Sequence, residues 1–334
     1  MTKIGINGFG RIGRTVLRNA MTRDDVEVVA VNDLFGAEAF AHLLKYDTSY
    51  GVFPGEVRID GEDLLVDGRR IAFSAERDPA SIPWSAAGAD VVIESTGVFR
   101  DRAGAAKHLA AGAKKVIISA PGKGPDITVV LGVNEGEYDP AKHDVISNAS
   151  CTTNCLAPMV RVLDEAVGVE RGLMNTVHAY TADQQLLDGP HEDPRRARAA
   201  AVNVVPTSTG AATVVGDVLP SMKGKLDGFA VRVPSPAVSL LDLTAVPARD
   251  TDVAEINRAF SRAATGDLEG ILAVSDEPLV SSDYLGCTAS ATVDLQLTQV
   301  VDGRLVKVVA WYDNEMGYAA RIVGLSALVG RSIG

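Results

Sequence analysis

Apolar positions open the chain as a short continuous run, Lys3 to Asn7, of the length and composition of a buried strand. The spacing then turns helical from Arg11 to about Met21 and returns to a strand run over Val26 to Asn32. Two more strand runs, at about Asp90 to Glu94 and Lys115 to Ser119, flank a helix-like stretch from Asp101 to Ala111. Strands alternating with helices at this spacing predict βαβ units and a parallel sheet. A short strand segment, Asp144 to Ile146, then leads into a helix-like run ending near Val167, and a further strand run covers Glu170 to His178. Phe229, Val231 and Val233 alternate with Ala230 and Arg232, which predicts a strand that packs the first three and points Arg232 away from the packed face. A last helix-like run, Gly317 to Val329, closes the pattern.

The first strand runs directly into Gly8-Phe9-Gly10-Arg11-Ile12-Gly13, a G-x-G-x-x-G in the strand-before, helix-after setting that gives it meaning. Its glycines permit a tight turn and a close backbone approach, so that a pyrophosphate can lie on the N–H groups of the helix start. The second strand run ends in Asp33, about 20 residues beyond Gly13, where a carboxylate meets a ribose 2′-hydroxyl and repels a 2′-phosphate. The expected cofactor is therefore NAD rather than NADP, held on a Rossmann-type doubly wound domain. Ser95-Thr96-Gly97 and Ser119-Ala120-Pro121-Gly122 follow other strand ends and are further candidate contacts.

A second junction carries a nucleophile. Ser147-Asn148-Ala149-Ser150-Cys151-Thr152-Thr153-Asn154-Cys155 crowds polar residues at the start of the run to Val167, so Cys151 is expected in a first helical turn, where free N–H groups and the helix dipole favour a thiolate. Cys155, one turn on, reads as structural. A helix of about 16 residues spans ~24 Å, and the strand run to His178 can return ~30 Å. His178 can thus lie beside Cys151, to draw off the thiol proton and serve as acid and base.

Composition narrows the setting. A length of 334 residues exceeds what one core usually serves, and two domains are expected. With 46% hydrophobic and 22% charged residues, and no apolar stretch of bilayer-spanning length, a membrane role is not expected. The net charge of −11 argues against nucleic acid as a partner and confines any anion site to local groups. Met1 to Ile6 has no signal-peptide pattern, and three cysteines form neither a disulfide framework nor a zinc pattern, so a cytoplasmic protein without a metal is expected.

Ser150 to Cys155 and His178-Ala179-Tyr180-Thr181-Ala182-Asp183-Gln184 resemble the active-site segments of the glyceraldehyde-3-phosphate dehydrogenase family. The resemblance extends from Gly5–Arg14 through Pro206–Ala212 to Trp311–Glu315, essentially the whole chain. It implies an NAD-binding domain over 1–150, onto which a C-terminal helix, 317–334, packs back, and an α+β catalytic domain with a mostly antiparallel sheet over 151–316. It implies NAD contacts at Gly8, Gly10, Arg11, Ile12, Gly13, Asp33, Arg77, Ser119 and Asn314, with Tyr318 near the nicotinamide. Thr181, Asp183 and Arg232 would form the site for the substrate's own phosphate. Ser150, Thr209, Gly210 and Arg196 would hold inorganic phosphate, and Thr152 is a further substrate contact. The Pro- and Arg-rich segment Asp188 to Arg198 would be a loop at a subunit interface of a homotetramer. The activity implied is reversible oxidative phosphorylation of glyceraldehyde 3-phosphate; the alternatives are a dehydrogenase of erythrose 4-phosphate and a non-catalytic binding protein on the same fold. Three positions depart from the family's usual residues: Met316 stands where Trp is common, Ala179 where Ser is, and Thr213 where Lys is.

Overall fold

The computed structural model describes residues 1–333. The chain forms two compact units: Met1–Val129, Glu135–Ser150 and the tail from Ala319 onward make the first, and Val130–Asn134 with Cys151–Tyr318 the second.

The first unit is built on a nine-stranded sheet in the order Ile127–Thr128, Val145–Ser147, Lys115–Ile118, Val91–Glu94, Thr2–Asn7, Val26–Asn32, Arg69–Ser74, Asp63–Val66, Val57–Asp60. The first seven pair in parallel and the last two are added as antiparallel hairpins. The winding reverses at Thr2–Asn7: the next strand, Val26–Asn32, pairs on one side and Val91–Glu94 on the other, which opens a crevice beyond the strand ends. The first helix, Arg11–Ala20, starts at that point. The stretch expected as one helix over Asp101–Ala111 forms two single turns, Arg102–Ala105 and Lys107–Ala110. Asp101 caps the first by accepting the Gly104 N–H at 2.8 Å. The closing helix, Met316–Arg331, runs from the second unit into the first, where Gly330 abuts Thr2 so closely that a Cβ would fall 2.0 Å from its hydroxyl. Gly334, the end of the expected helical tail, lies outside the described residues.

The second unit carries a mixed, mostly antiparallel sheet in the order Val205–Ser208, Leu226–Val233, Val169–Ala179, Ser239–Pro247, Leu305–Tyr312, Ala291–Asp294, Leu272–Ser275, with Gln299–Val301 also on Leu305–Tyr312. The helices Cys151–Val167 and Ala211–Val218 pack on one face. The other face is bare: Leu173, Phe229 and Leu305 are 67, 50 and 43% exposed. This reverses the face expected for the strand at Phe229. Ala230 is buried and Arg232 shares its side, toward the helices, while Phe229 stands on the open face. The pattern misled because the packed side carries a small residue and a cation, whereas the large apolar side chain belongs to an uncovered sheet surface.

Candidate active site

In the first unit, the crevice at the winding reversal holds a cavity of about 310 Å³ lined by residues that include Asn7, Gly8, Gly10, Asp33, Arg77 and Thr96. Gly8 adopts φ +90°, and a Cβ there would lie 2.6 Å from the Thr96 backbone nitrogen, so only glycine closes this turn. Gly13 is equally constrained, since a Cβ there would fall 2.3 Å from the Gly8 carbonyl oxygen, whereas a Cβ on Gly10 would meet nothing within 4 Å. Asp33 accepts the N–H groups of Phe9 at 2.8 Å and Phe35 at 3.3 Å, which holds its carboxylate at the rim. An open glycine backbone, a helix start and an oriented carboxylate fit a dinucleotide. Arg11, Ile12, Gly13 and Ser119 do not line the cavity. Arg11 is bound to Asp47 at 2.6 Å and lies over the Tyr50 ring. Burial alone would raise the Asp47 carboxyl; the N–H groups of Tyr50 and Ser49 and the Arg11 guanidinium outweigh it and hold the group below the usual range. Ser119 gives its N–H to the Glu94 carbonyl at 2.9 Å.

In the second unit, Cys151 is the first residue of the helix Cys151–Val167, and its Sγ lies 3.4 Å from Nε2 of His178, at the end of the strand Val169–Ala179. His178 Nδ1 is 2.6 Å from the Ala179 carbonyl, which can only accept, and 3.2 Å from the Arg232 guanidinium, which can only donate; the much shorter carbonyl contact favours a proton on Nδ1, leaving the Nε2 lone pair to face the thiol. Burial, and then the Arg232 guanidinium, push the His178 pKa down to about 3. Burial also pushes the Cys151 thiol up, against the opposing pull of Arg232 and Thr152. Desolvation thus opposes the helix-start effect at Cys151, while the neutral imidazole beside it is placed to take the thiol proton. Cys155 is fully buried with its sulfur 3.8 Å from that of Met159.

Arg232 sits opposite His178 in the parallel register and donates to the Thr181 hydroxyl at 2.8 Å and the Ala179 carbonyl at 3.1 Å. Its Nε is buried without a hydrogen-bond partner, a spare donor that suits an anion. Thr181 also donates to Asp183. Asp183 pairs with Arg196 at 2.6 Å, and Arg196 in turn donates to Thr207 Oγ1 at 2.8 Å. Asp183 and Arg196, expected in separate anion sites, form one ion pair, and Asp183 thereby tethers Arg196. Thr209 accepts the Ala211 N–H at 3.2 Å ahead of the exposed Gly210. The Thr152 hydroxyl is turned inward, 3.0 Å from Tyr312 Oη, rather than toward an open subsite. Ser150 ends the first unit, immediately before Cys151.

Two residues were missed by sequence reasoning. Tyr312 bonds Thr176 at 2.8 Å as well as Thr152, and its ring meets His178 edge-on at 5.9 Å, locking the helix start to the strand that bears the base. Ser239 takes the Ala179 N–H at 3.1 Å and donates to Asn314 Oδ1 at 3.0 Å, which orients the amide of a residue expected to contact NAD. Their signal is a polar group in phase with buried apolar positions, Leu241 and Leu243 for Ser239, Val308 and Ala310 for Tyr312. Tyr318 is buried at the start of the closing helix. Of the departures, Thr213 is exposed, Ala179 acts through its backbone, and Met316 gives its N–H to Asp313 at 2.9 Å.

A dinucleotide-type crevice in one unit and a thiol–imidazole pair beside an arginine in the other fit an α/β dehydrogenase. The family model for the glyceraldehyde 3-phosphate dehydrogenase NAD binding domain matches residues 2–102, and that for the C-terminal domain matches 150–314. Similar proteins include glyceraldehyde-3-phosphate dehydrogenase 1 of Bacillus subtilis (strain 168), 59% identical over 329 residues and 98% of each chain. That of Geobacillus stearothermophilus is 58% identical over 327 residues, again 98% of each, and that of Streptomyces coelicolor 55% over 333 residues, 99% of each. The chain belongs to the glyceraldehyde-3-phosphate dehydrogenase family.

Proposed function

We propose that this protein is an NAD-dependent phosphorylating dehydrogenase of glyceraldehyde 3-phosphate, with Cys151 as nucleophile. The observation that carries the reading is the 3.4 Å approach of Cys151 Sγ to His178 Nε2, with the ring's other nitrogen held 2.6 Å from the Ala179 carbonyl. His178 takes the thiol proton as Sγ bonds to the aldehyde carbon, and returns it to the oxygen of the resulting hemithioacetal. NAD, held by Gly8, Gly10 and Asp33, would supply the hydride acceptor for that carbon. His178 then removes the hydroxyl proton, leaving a thioester on Cys151. Arg232, with its unpartnered Nε, and Arg196, tethered by Asp183, supply the cationic groups for the substrate's phosphate and for inorganic phosphate. Attack of a phosphate oxygen on the thioester breaks the C–S bond and releases an acyl phosphate and the cysteine. The cofactor residues proposed are Gly8, Gly10 and Asp33 at the crevice with Arg77 at its edge, and Asn314 oriented by Ser239.

We further propose a homo-oligomer, of the tetrameric kind the family resemblance implies, in a reducing, cytoplasmic setting. Support comes from the bare sheet face of the second unit and from Leu186, Leu187, Val202 and Val204, all at least 66% exposed beside the Arg-rich loop. The assay is NADH formation from glyceraldehyde 3-phosphate with and without phosphate. Turnover is expected only with phosphate or arsenate present, and Cys151→Ser should abolish it while keeping NAD binding. Phosphate-dependent turnover in that variant would overturn the nucleophile.

A further inference from the structure

Beneath the crevice of the first unit lies a row of buried polar groups that the proposed chemistry does not use. Trp84 is fully buried against Gly5, where a Cβ would fall 2.7 Å from the indole. Its Nε1–H donates to His108 Nδ1 at 3.0 Å. His108 is also fully buried, and its Nε2 lies 3.0 Å from Glu94 Oε2. An indole nitrogen can only donate, so Nδ1 is an acceptor, the ring proton is on Nε2, and the neutral imidazole donates to Glu94. Glu94 takes three more donors: Asn7 Nδ2 at 2.6 Å on Oε2, and the Thr96 N–H at 2.9 Å together with the Thr96 hydroxyl on Oε1. Four donors on two oxygens suit a carboxylate, which accepts only, and give a buried charge its hydrogen bonds without a counter-ion.

Trp84, His108 and Glu94 do not line the cavity, but the groups Glu94 holds do. Asn7 and Thr96 are both in its wall. Asn7 Oδ1 accepts from Asn32 Nδ2 at 2.8 Å, and Asn32 Oδ1 accepts the Glu76 N–H at 2.8 Å; Asn32 and Glu76 line the wall too. Ser95 Oγ ties the same loop to the Gly8 carbonyl at 2.7 Å. We propose that Trp84, His108 and Glu94 form a positioning relay that fixes the Gly8 and Thr96 loops and thereby sets the affinity for the dinucleotide without touching it. Loops without this anchor must be ordered by the ligand itself, at the expense of affinity. The proposal rests on the reading of the crevice as the NAD site.

His108→Gln and His108→Leu test it. A Gln amide can donate to Glu94 and accept from the indole, reproducing the neutral ring's two bonds, whereas Leu fills space and makes neither. In calorimetric titrations with NAD, the Leu variant is expected to raise Kd about tenfold or more and the Gln variant to stay within about threefold. The KM for NAD should follow Kd, with kcat at saturating NAD and the KM values for aldehyde and phosphate near those of the unmodified protein. If the Leu variant does not fold, Glu94→Gln, which places an amide donor among donors, should show the same split. Wild-type affinity in the Leu or Glu94→Gln variant, or equal losses in the Gln and Leu variants, would overturn the relay. Failure of the unmodified protein to bind NAD would overturn the crevice reading along with it, while normal binding there with unchanged variants removes the relay alone.

Discussion

His178 is the residue on which most of the site's electrostatics converge. Its Nδ1 is committed to the Ala179 carbonyl, Arg232 stands against it, and its Nε2 has the Cys151 sulfur as partner. Desolvation and that neighbouring cation keep it neutral down to about pH 3 in the folded state, against an ordinary value of 6.5. The sign of the linkage follows: between these values the unfolded chain binds the proton and the folded one does not, so the contribution to stability is complete above 6.5 and is lost as pH falls toward 3. His178→Asn removes that titration, and its acid unfolding curve should be flatter across this window than that of the unmodified protein; an identical slope in both would show that His178 protonates normally. The same variant should lower turnover by roughly 100-fold or more and slow iodoacetamide alkylation of Cys151 at neutral pH. The identities of this pair were legible in the sequence because the chain path brings them together. The opposing electrostatics were not, since helix-start reasoning sees the dipole but neither the desolvation of the pair nor the position of Arg232.

The glycine motif shows how one element pair divides its duties. Gly13 brings the helix Arg11–Ala20 against the carbonyl of Gly8, and an added Cβ would overlap backbone that cannot move aside. Gly10 has open space at the same position and lines the crevice. Gly13→Ala should therefore lower the thermal midpoint, with an overpacking penalty of about 1–3 kcal/mol. Gly10→Ala should leave the midpoint nearly unchanged and weaken NAD binding instead. Melting curves and NAD titrations of the two variants check this, and a stable Gly13→Ala would refute the packing role. At this scale the strands expected in the first unit were readable almost to the residue, since Val26–Asn32 forms as expected and Lys3–Asn7 is extended only by Thr2. Arg69–Ser74, which pairs in parallel with Val26–Asn32, and the strands Val57–Asp60, Asp63–Val66 and Ile127–Thr128 were not expected. The second unit was less so. Its strand Leu226–Val233 has Phe229 on an uncovered face, and periodicity reports alternation without saying which side is covered. The site residues Tyr312 and Ser239 were passed over because each occupies a core phase, where a polar side chain is read as a satisfied bystander.

At the scale of the whole molecule, the bare face of the second sheet is a feature that neither the crevice nor the thiol pair explains. Leu173, Phe229 and Leu305 stand there around a hollow of about 740 Å³, with Asn175 opposite Phe229 in one register and Asp242 in the next. Lys307 closes on Asp242 at 2.5 Å within the same surface, which matches its charge; Arg171, Lys225 and Asp227 also line the hollow, whose surface is otherwise mostly apolar. A sheet face of this kind gains by covering itself, and a second copy of the same face, related by a twofold axis, supplies equal shape and apolar area. Stable association of that type requires upwards of about 1,000 Å² of buried surface, which a face spanning several strands can provide. Phe229→Glu places a charge at the centre of the contact, where desolvation would be uncompensated. Sedimentation velocity should find the unmodified protein as an oligomer and the variant as a smaller species, with Cys151 alkylated at a similar rate in both because Phe229 lies on the side of the sheet away from His178. A monomeric unmodified protein, or a variant that assembles as well as its parent, would mean that this face is left to solvent.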